Sequence, residues 1–241
     1  MEKFNRVKLL LGSQNLNKLA RSSVAVFGVG GVGGYAAEAL IRSGVGSIAI
    51  FDNDVVAPSN INRQIIANTL TVGKDKVEVA KERLLSINPN AKVNAFKTFY
   101  LPENADEFPL ENYDYIIDAV DTVTAKIELI MRAKKANVPI ISCMGTGGKL
   151  DITALKVTDI EKSKGCPLAR VMRRELKARG IKGVKVVYSE EQPSICQSEV
   201  IAAEKKESGR TAPPSMIFVP AAAGLLLAKE VITDLIKEEN L

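Results

Sequence analysis

The stretch SVAVFGVGGVGGYAAEALIRSGVGSIAIFD, residues 23–52, decides the fold of this 241-residue chain. Its apolar runs at Ser23 to Phe27 and Ser47 to Phe51 are typical of buried strands. The segment between them, Val32 to Arg42, predicts a helix that ends near Gly44. A strand, a helix and a second strand in this order predict a βαβ unit.

The same alternation continues along the chain. Further strands are predicted at Val93 to Phe96, Tyr115 to Ala119 and Pro139 to Ser142, and helices at Lys74 to Ile87 and Thr124 to Asn137. We therefore expect an α/β fold, a Rossmann-like, mostly parallel, twisted sheet flanked by helices.

A C-terminal extension of strands and helices follows Gly145-Thr146-Gly147-Gly148. It is predicted to contain strands at Ile152 to Val157, Val184 to Ser189 and Met216 to Val219, helices at Pro167 to Arg179 and Ala221 to Lys237, and a polar loop from Glu190 to Ser215. We expect one domain over residues 1–241, with an N-terminal half at about 1–155 and a C-terminal half at about 156–241.

The composition limits the class of protein. Hydrophobic residues make up 46% of the chain and charged residues 25%, which is ordinary for a globular protein. No apolar run approaches the roughly 18 residues of a membrane span, and the start lacks the apolar core of a signal peptide. We expect a soluble, cytoplasmic protein with no membrane partner.

Cysteine and histidine usage narrows the chemistry. Cys143, Cys166 and Cys196 form no Cys-x-x-Cys pair, so neither a disulfide framework nor a zinc site is predicted. Histidine is absent, which removes the side chain that most often performs general acid–base catalysis near neutral pH. Catalysis should therefore rely on positioning, cations and phosphate chemistry.

The turn Gly28-Val29-Gly30-Gly31-Val32-Gly33 follows a predicted strand and opens a predicted helix, the context that a GxGxxG fingerprint requires. Glycines let the backbone approach a phosphate closely, and the helix N-terminus offers unpaired amides to the anion. Asp52 ends the next strand, where a carboxylate can hold ribose hydroxyls. These features predict a nucleotide site in the N-terminal half, but the glycines alone do not choose between ATP and NAD.

Three later motifs carry a family resemblance. They are SNINRQ at residues 59–64, GKDKVE at residues 73–78 and DAVD at residues 118–121. Together they closely resemble the ThiF-like adenylyltransferases of the ubiquitin-activating superfamily. This resemblance, rather than the glycine turn, favours ATP.

The resemblance implies a role for each matching residue. Arg63 and Lys76 contact the phosphates of ATP, Asp52 holds the ribose, and Asp121 positions Mg²⁺. The candidate nucleotide-binding residues are Gly28, Gly30, Gly31, Gly33, Asp52, Asp54, Asn60, Asn62, Arg63, Gln64, Lys76, Asp121 and Arg6.

These roles also make physical sense. When a carboxylate attacks the α-phosphorus of ATP and pyrophosphate leaves, cations already in place stabilise the negative charge. Arginine offers a planar fork for phosphate oxygens, and lysine a compact charge. We therefore predict that Arg63, Lys76 and Asp121 are catalytic and that Asp121 is the metal ligand. A surface ion pair for Arg63, a solvated helix position for Lys76 and a helix N-cap for Asp121 are the alternatives.

Within that superfamily the chain is most similar to the tRNA threonylcarbamoyladenosine dehydratase branch. The similar segments are Phe4-Asn5-Arg6 with Leu9-Leu10-Leu11-Gly12, CPLARVMRREL at residues 166–176, and Val187-Tyr188-Ser189 leading to Pro193. The similarity implies an enzyme that adenylates the carboxylate of threonylcarbamoyladenosine in tRNA and cyclises it as AMP leaves, with net loss of water. It also implies a homodimer in which Arg6 reaches the partner's ATP site, and cooperation with a cysteine desulfurase system. A helix-surface role for Arg6 is the alternative.

Other functions remain open at this stage. Activation of a ubiquitin-like sulfur carrier is the nearest alternative, although Thr122 stands where those activators usually have asparagine, Lys126 stands where arginine is common, and the Cys-x-x-Cys zinc pair of many of them is missing. Such activators use a cysteine to receive the acyl group, and Cys196 is the best candidate for that role. An NAD-dependent oxidoreductase and a non-catalytic RNA-binding protein are further alternatives.

The predicted helix Pro167 to Arg179 independently indicates an RNA partner. The net charge of +5 is unevenly distributed, and at about 100° per residue four cations of this helix fall on one face: Arg170, Arg173, Arg174 and Lys177. We predict that they bind tRNA with an affinity that falls steeply with salt. An ordinary solvated helix face is the alternative.

Overall fold

The computed structural model describes residues 2–194 and 213–237. The helices in these ranges are α1 (Asn5–Arg21), α2 (Gly33–Arg42), α3 (Lys76–Ile87), α4 (Val123–Lys135), α5 (Pro167–Ala178) and α6 (Phe218–Ile236). The strands are β1 (Ser23–Phe27), β2 (Ser47–Phe51), β3 (Lys92–Phe96), β4 (Tyr115–Asp118), β5 (Ile140–Cys143), β6 (Leu155–Asp159) and β7 (Lys185–Ser189). Cys196 and residues 195–212 of the predicted polar loop lie outside the described residues.

The strands form a seven-stranded sheet in the order β3-β2-β1-β4-β5-β7-β6. Neighbouring strands are parallel from β3 to β7, and the edge strand β6 runs antiparallel to β7. The chain winds from β1 through β2 to β3, and then crosses to β4 on the other side of β1. A crevice therefore opens at the carboxyl ends of β1 and β4, where ligands of open α/β sheets bind. The predicted mostly parallel α/β sheet is confirmed.

Helices cover both faces of the sheet. Because successive strand residues point to opposite faces, Val24 and Val26 of β1 belong to the core that also contains residues of α2, α3 and α6, whereas Ala25 and Phe27 belong to the core that contains residues of α4 and α5. The central strands are thus buried on both sides, as their continuous apolar sequences predict.

Stacked aromatic rings hold the carboxyl ends of three neighbouring strands in register. The ring of Phe51 stacks on Phe27 at a centroid distance of 4.2 Å and on Phe96 at 4.6 Å. Phe27 directly precedes Gly28, and Phe51 directly precedes Asp52. This packing fixes the starting points of the two loops that form the predicted site.

Two predictions in the C-terminal extension need correction. The predicted strand Met216 to Val219 is wrong, because Phe218 already begins α6. A run of four apolar residues does not distinguish a strand from a buried helix turn. β6 begins at Leu155 rather than Ile152, because the Asp151 side chain accepts a hydrogen bond from the Thr153 N–H and caps a 3₁₀ turn there.

Within residues 2–194 and 213–237, no helix combines the length and the apolar character that crossing a membrane requires.

Candidate active site

The turn after β1 is built from glycines that serve two purposes. Gly28 has a φ of 87°, and a Cβ at this position would lie 2.7 Å from the carbonyl oxygen of Ala119. A Cβ at Gly33 would lie 1.8 Å from the carbonyl oxygen of Gly28. The packing of the turn itself therefore requires both glycines. At Gly30 the nearest atom to such a Cβ is Nε2 of Gln64, at 3.7 Å, so packing against the described residues does not demand glycine there.

The same turn presents unpaired amides at the start of α2. The Gly28 N–H donates to the carbonyl oxygen of Phe51 at 2.7 Å. The N–H groups of Gly30, Gly31 and Val32 find no acceptor within residues 2–194 and 213–237. Together with the positive end of the α2 dipole, these amides suit an anion such as a phosphate group.

Asp52 is fixed beside this turn by backbone amides. Its Oδ2 accepts a hydrogen bond from the Val29 N–H at 2.7 Å, and its Oδ1 accepts one from the Asp54 N–H at 2.9 Å. Each carboxylate oxygen has a second lone pair. Asp52 can therefore accept two further hydroxyl donors without losing the contacts that orient it.

Lys76 begins α3 and reaches the same carboxylate. Its Nζ lies 2.7 Å from Oδ2 of Asp54 and 4.0 Å from Oδ1 of Asp52. The Lys76 side chain is only 6% exposed, so the alternative of a solvated helix position is wrong. These two acids hold the buried ammonium in a defined direction.

Arg63 lies on the other side of the glycine turn. Its Cγ is 3.4 Å from the position that a Cβ at Gly31 would occupy. Its Nη1 donates to the carbonyl oxygen of Ser59 at 2.8 Å and to Oδ1 of Asn62 at 2.9 Å. Among the described residues Arg63 forms no ion pair, so the predicted alternative of a surface ion pair has no support there. The rest of the guanidinium fork keeps its donors for an anion.

The side-chain amides of the motif at residues 59–64 have two roles. Asn60 and Asn62 hold nearby backbone, whereas Gln64 has an oxygen with no partner among the described residues. Asn60 is buried, and its Oδ1 accepts a hydrogen bond from the Ala57 N–H at 3.1 Å, so it shapes the turn. Nδ2 of Asn62 donates to the Ser215 carbonyl oxygen at 2.8 Å, which ties the turn to the segment before α6. Oε1 of Gln64 is buried without a partner in the described structure. Such an orphaned acceptor beside a bare glycine backbone indicates a ligand with a donor group.

Asp121 follows β4 on the far wall of the crevice and is solvent-exposed. The N-cap position of α4 is Thr122, so the N-cap alternative for Asp121 is wrong. Within the described residues no group of three metal-binding side chains occurs. A single carboxylate still fits Mg²⁺, which is commonly held by one or two carboxylates together with phosphates and water.

A charged group under this wall escaped the sequence reasoning. Asp118 and Lys126 are fully buried and paired, with Nζ 3.0 Å from Oδ2. The family resemblance marks Lys126 only as a position where arginine is common. A carboxylate at the end of a buried strand, eight residues before a lysine on the inner face of a helix, is the pattern that could have revealed the pair.

Comparison with known proteins identifies the family. The sequence profile of the ThiF family matches residues 4–241. This chain belongs to the ThiF family.

Within the ThiF family the chain lies in the tRNA threonylcarbamoyladenosine dehydratase branch. It is 42% identical to the protein of that name from Bacillus subtilis, with 99% of this chain and 96% of the relative covered. It is 37% identical to the Escherichia coli protein, with 82% and 77% covered. The crystal structure of the E. coli dehydratase TcdA in complex with AMP superimposes with a TM-score of 0.88 at 33% identity, covering 98% of this chain and 94% of that one. The predicted family resemblance is confirmed.

The basic helix of this ThiF-family chain does not present its four cations equally. Arg170 and Lys177 are exposed. Nη1 of Arg173 donates to the backbone oxygen and to Oγ of Ser163, at 2.7 and 2.6 Å, and so holds the segment before α5. Arg174 is exposed but pairs with Glu175 at 3.0 Å. The exposed cationic surface is therefore narrower than the sequence pattern predicts.

Arg6 lies on the exposed side of α1, and its side chain makes no hydrogen bond or ion pair with any described residue. Nothing in these residues connects it to the glycine turn of the same chain. Leu9 and Leu10 follow it on the helix and are 85% and 82% exposed.

The described cysteines are unsuited to covalent catalysis. Cys143 ends β5, and burial raises the pKa of its thiol to about 12. Cys166 is also buried, directly before Pro167. Neither thiol has the exposed, cationic setting that a nucleophilic cysteine requires.

Proposed function

We propose that this protein is an ATP-dependent enzyme that dehydrates threonylcarbamoyladenosine in tRNA by cyclisation through an acyl-adenylate. The observation that carries the proposal is the match to the B. subtilis dehydratase over nearly the whole length of both chains. The geometry of the β1–β4 crevice supports the ATP half of the reaction, and E. coli TcdA has been crystallised in complex with ATP and with AMP.

The first step is adenylation. An oxygen of the substrate carboxylate attacks the α-phosphorus of ATP, and the bond to pyrophosphate breaks. The N–H groups of Gly30, Gly31 and Val32 donate hydrogen bonds to phosphate oxygens. Arg63 and Lys76 stabilise the negative charge that develops on the leaving pyrophosphate. Asp52 accepts hydrogen bonds from the ribose hydroxyls, and Gln64 supplies its orphaned oxygen to a donor on the nucleotide. Asp54 contributes by holding the ammonium of Lys76.

Mg²⁺ belongs to this proposal as the partner of the phosphates. Asp121 is the residue that would hold it, and the metal would neutralise charge on the phosphate oxygens. The chain's own contribution is to present this carboxylate at a fixed place across from the glycine turn.

The second step closes the ring. A nucleophilic group within the threonylcarbamoyl unit attacks the activated acyl carbon, the ring that forms releases a proton to water, the acyl–phosphate bond breaks, and AMP leaves. The oxygen lost from the carboxylate departs on AMP, so the nucleoside loses one water in total. Because attack is internal, the reaction requires orientation of the substrate rather than an enzyme nucleophile.

The tRNA is expected along α5. Arg170 and Lys177 have no ion-pair partner within residues 2–194 and 213–237, so their charge is available to phosphates there. Arg174 can exchange its exposed pair with Glu175 for a phosphate. Arg173 takes part indirectly, through Ser163.

A homodimer remains part of the proposal. The exposed pair Leu9 and Leu10 on α1 supports a protein contact at this end of the chain, since large apolar side chains exposed side by side mark interaction surfaces. Arg6 would then act at the partner's nucleotide. We also propose a cytoplasmic location and cooperation with a cysteine desulfurase system, both of which rest on the family resemblance.

The experiment that tests the function is mass spectrometry of tRNA nucleosides after incubation with the protein and ATP. We expect the modified adenosine to lose the mass of one water, with AMP released in equal amount. Omitting ATP, or substituting Arg63→Ala, provides the control. An unchanged nucleoside in the presence of properly folded protein and ATP would refute the proposal.

Activation of a ubiquitin-like sulfur carrier is the alternative function, and the same experiment distinguishes it from tRNA modification. The Candida glabrata adenylyltransferase and sulfurtransferase UBA4 is 34% identical, but the match covers 62% of this chain and 34% of that protein. Carrier-dependent pyrophosphate exchange that proceeds without tRNA would favour this alternative.

A further inference from the structure

Lys126 is a buried lysine of α4, close behind the loop 119–122 that carries Asp121. Its side chain is 0% exposed. The ammonium lies 3.1 and 3.0 Å from the two oxygens of Asp118, 3.3 Å from Oγ of Ser142 and 2.7 Å from the carbonyl oxygen of Cys143. An ammonium has three donors, and each has an acceptor here.

This network joins three elements at one end of the sheet. Asp118 ends β4, Ser142 and Cys143 end β5, and Lys126 lies in the first turn of α4. Ser142 also donates its hydroxyl to Asp118, so the carboxylate is held from two directions. Buried charges that are fully paired are costly to disrupt one at a time.

Asp118 and Lys126 flank the short loop 119–122, whose ends are also held by backbone hydrogen bonds. At its start, the Ala119 N–H donates to the carbonyl oxygen of Phe27 at 2.8 Å, and the Val120 N–H donates to Oδ1 of Asp118 at 3.2 Å. At its end, the Lys126 N–H donates to the carbonyl oxygen of Thr122 at 3.0 Å. Between these anchors stands the exposed Asp121, three residues after the end of β4.

The same loop supports the glycine turn. The carbonyl oxygen of Ala119 occupies the space into which a Cβ at Gly28 would project, at 2.7 Å. A shift of Asp118 would therefore move two parts of the site together, the phosphate-binding turn and the carboxylate opposite it.

We propose that Lys126 is a positioning residue for the adenylation step. Its buried ammonium sets the distance between Asp121 and the glycine turn by holding Asp118 against the end of β5. Lys126 touches neither nucleotide nor substrate, and its effect reaches the reaction through the loop 119–122. The inference rests on the proposed function, because it gives Asp121 its role towards the magnesium–nucleotide complex.

The test compares two substitutions. Lys126→Met keeps the length of the side chain but removes its charge, whereas Lys126→Arg keeps the positive charge. Binding of ATP is measured by calorimetry over a series of magnesium concentrations, and kcat and KM are measured for tRNA. We expect Lys126→Met to lower kcat by about tenfold or more, since a displacement of about 1 Å can cost about 100-fold. The magnesium concentration that gives half-maximal ATP binding should rise several-fold, while KM for tRNA stays unchanged. Lys126→Arg should recover most of both losses.

Matched variants separate positioning from stability. Ser142→Ala removes one acceptor and keeps the ion pair, so it should change the magnesium midpoint only slightly. If Lys126→Met fails to fold, the double variant Asp118→Leu with Lys126→Met replaces the pair by apolar groups and should fold. That double variant should still show the raised magnesium midpoint. Amide hydrogen exchange at residues 119–122 should be faster in the variants than in the wild type.

Two results would overturn the inference. One is a folded Lys126→Met or double variant with an unchanged magnesium midpoint and unchanged kcat. The other is a loss that Lys126→Arg does not recover in any part. Because ATP binding is measured without tRNA, a wild-type protein that binds magnesium–ATP but leaves the nucleoside intact would contradict the proposed function and still allow the test of Lys126.

Discussion

Positive charges behave differently in the β1–β4 crevice and on the outer face of α5. In the crevice, Arg63 and Lys76 approach one glycine turn from two sides, and backbone or carboxylate contacts fix their direction. Along α5, Arg170 and Lys177 project into solvent, and Arg173 turns back to Ser163. The difference shows that the number of cations does not identify a reaction site. Their convergence on unpaired amides does.

The largest effect is expected from removing one of the two cations that converge on the glycine turn. Arg63→Ala should lower kcat by about 100-fold or more, because one positioned charge-stabilising group is worth about 10²–10³ in rate. Lys76→Ala should act in the same direction and also leave Asp52 and Asp54 without their shared partner. Single-turnover AMP release measures the effect.

Arg42→Ala is the matched control for these variants. Arg42 lies at the far end of α2 from the glycine turn, pairs with Glu38, and is 57% exposed. Its loss should leave AMP release near the wild-type rate. Near-normal turnover in both Arg63→Ala and Lys76→Ala would contradict a catalytic role for the cations at the glycine turn.

Two glycine substitutions should separate the role of the turn in ATP binding from its role in fold stability. Gly30→Ala should weaken ATP binding by about tenfold, equivalent to about 1.4 kcal/mol, while the melting temperature stays close to that of the wild type. Gly33→Ala should instead destabilise the fold by about 1–3 kcal/mol or more, because its Cβ would collide with the Gly28 carbonyl oxygen at 1.8 Å. Calorimetric ATP titration and thermal unfolding measure the two effects. Equal loss of stability in both variants would contradict a ligand-facing Gly30.

The face of α5 should respond to salt. Arg170→Ala and Lys177→Ala should each weaken tRNA binding and reduce the slope of log affinity against log salt by about 1. ATP binding without tRNA should not change. Arg173→Ala should mainly lower the melting temperature, since its guanidinium holds Ser163. Filter binding over a salt series tests this prediction, and an unchanged slope for Arg170→Ala and Lys177→Ala would contradict it.

The smallest expected effect concerns an ion pair outside both regions. Burial alone would raise the pKa of Glu38, but hydrogen bonds from Arg83 and Arg42 outweigh it and hold the pKa below its usual value. The stabilisation is therefore present above the unfolded-state pKa and is lost as the pH falls through the lower folded-state value. Glu38→Gln should lose less stability than the wild type as the pH falls from about 6 to about 3. Urea unfolding at both pH values checks this, and parallel losses would contradict it.

Much of the N-terminal half follows from local sequence. β1 and β2 have the predicted bounds, because a buried parallel strand is a continuous apolar run and the glycine turn marks its end. The motif at residues 59–64 and Lys76 lie beside that turn, since the crossing from β1 to β4 brings the carboxyl ends of the strands to one edge. The sequence pattern therefore predicts which parts of the crevice meet.

The remaining features depend on contacts between distant segments. Helical spacing placed Arg173 on the cationic face, but its direction is set by Ser163, ten residues earlier in the chain. Met216 to Val219 gave no period long enough to show that Val219 belongs to the buried side of α6. The ammonium of Lys126 also contacts Ser142 and Cys143, and only the packing of α4 against β5 brings these two acceptors to it.

The sealed pair of Asp118 and Lys126 also constrains how this protein can change over generations. Replacing either member alone strands the other charge in the interior, a loss of about 3–5 kcal/mol. The two positions are thus expected to be inherited as a unit. A lineage that exchanges them for an apolar pair must pass through an intermediate less fit than its ancestor or its descendant.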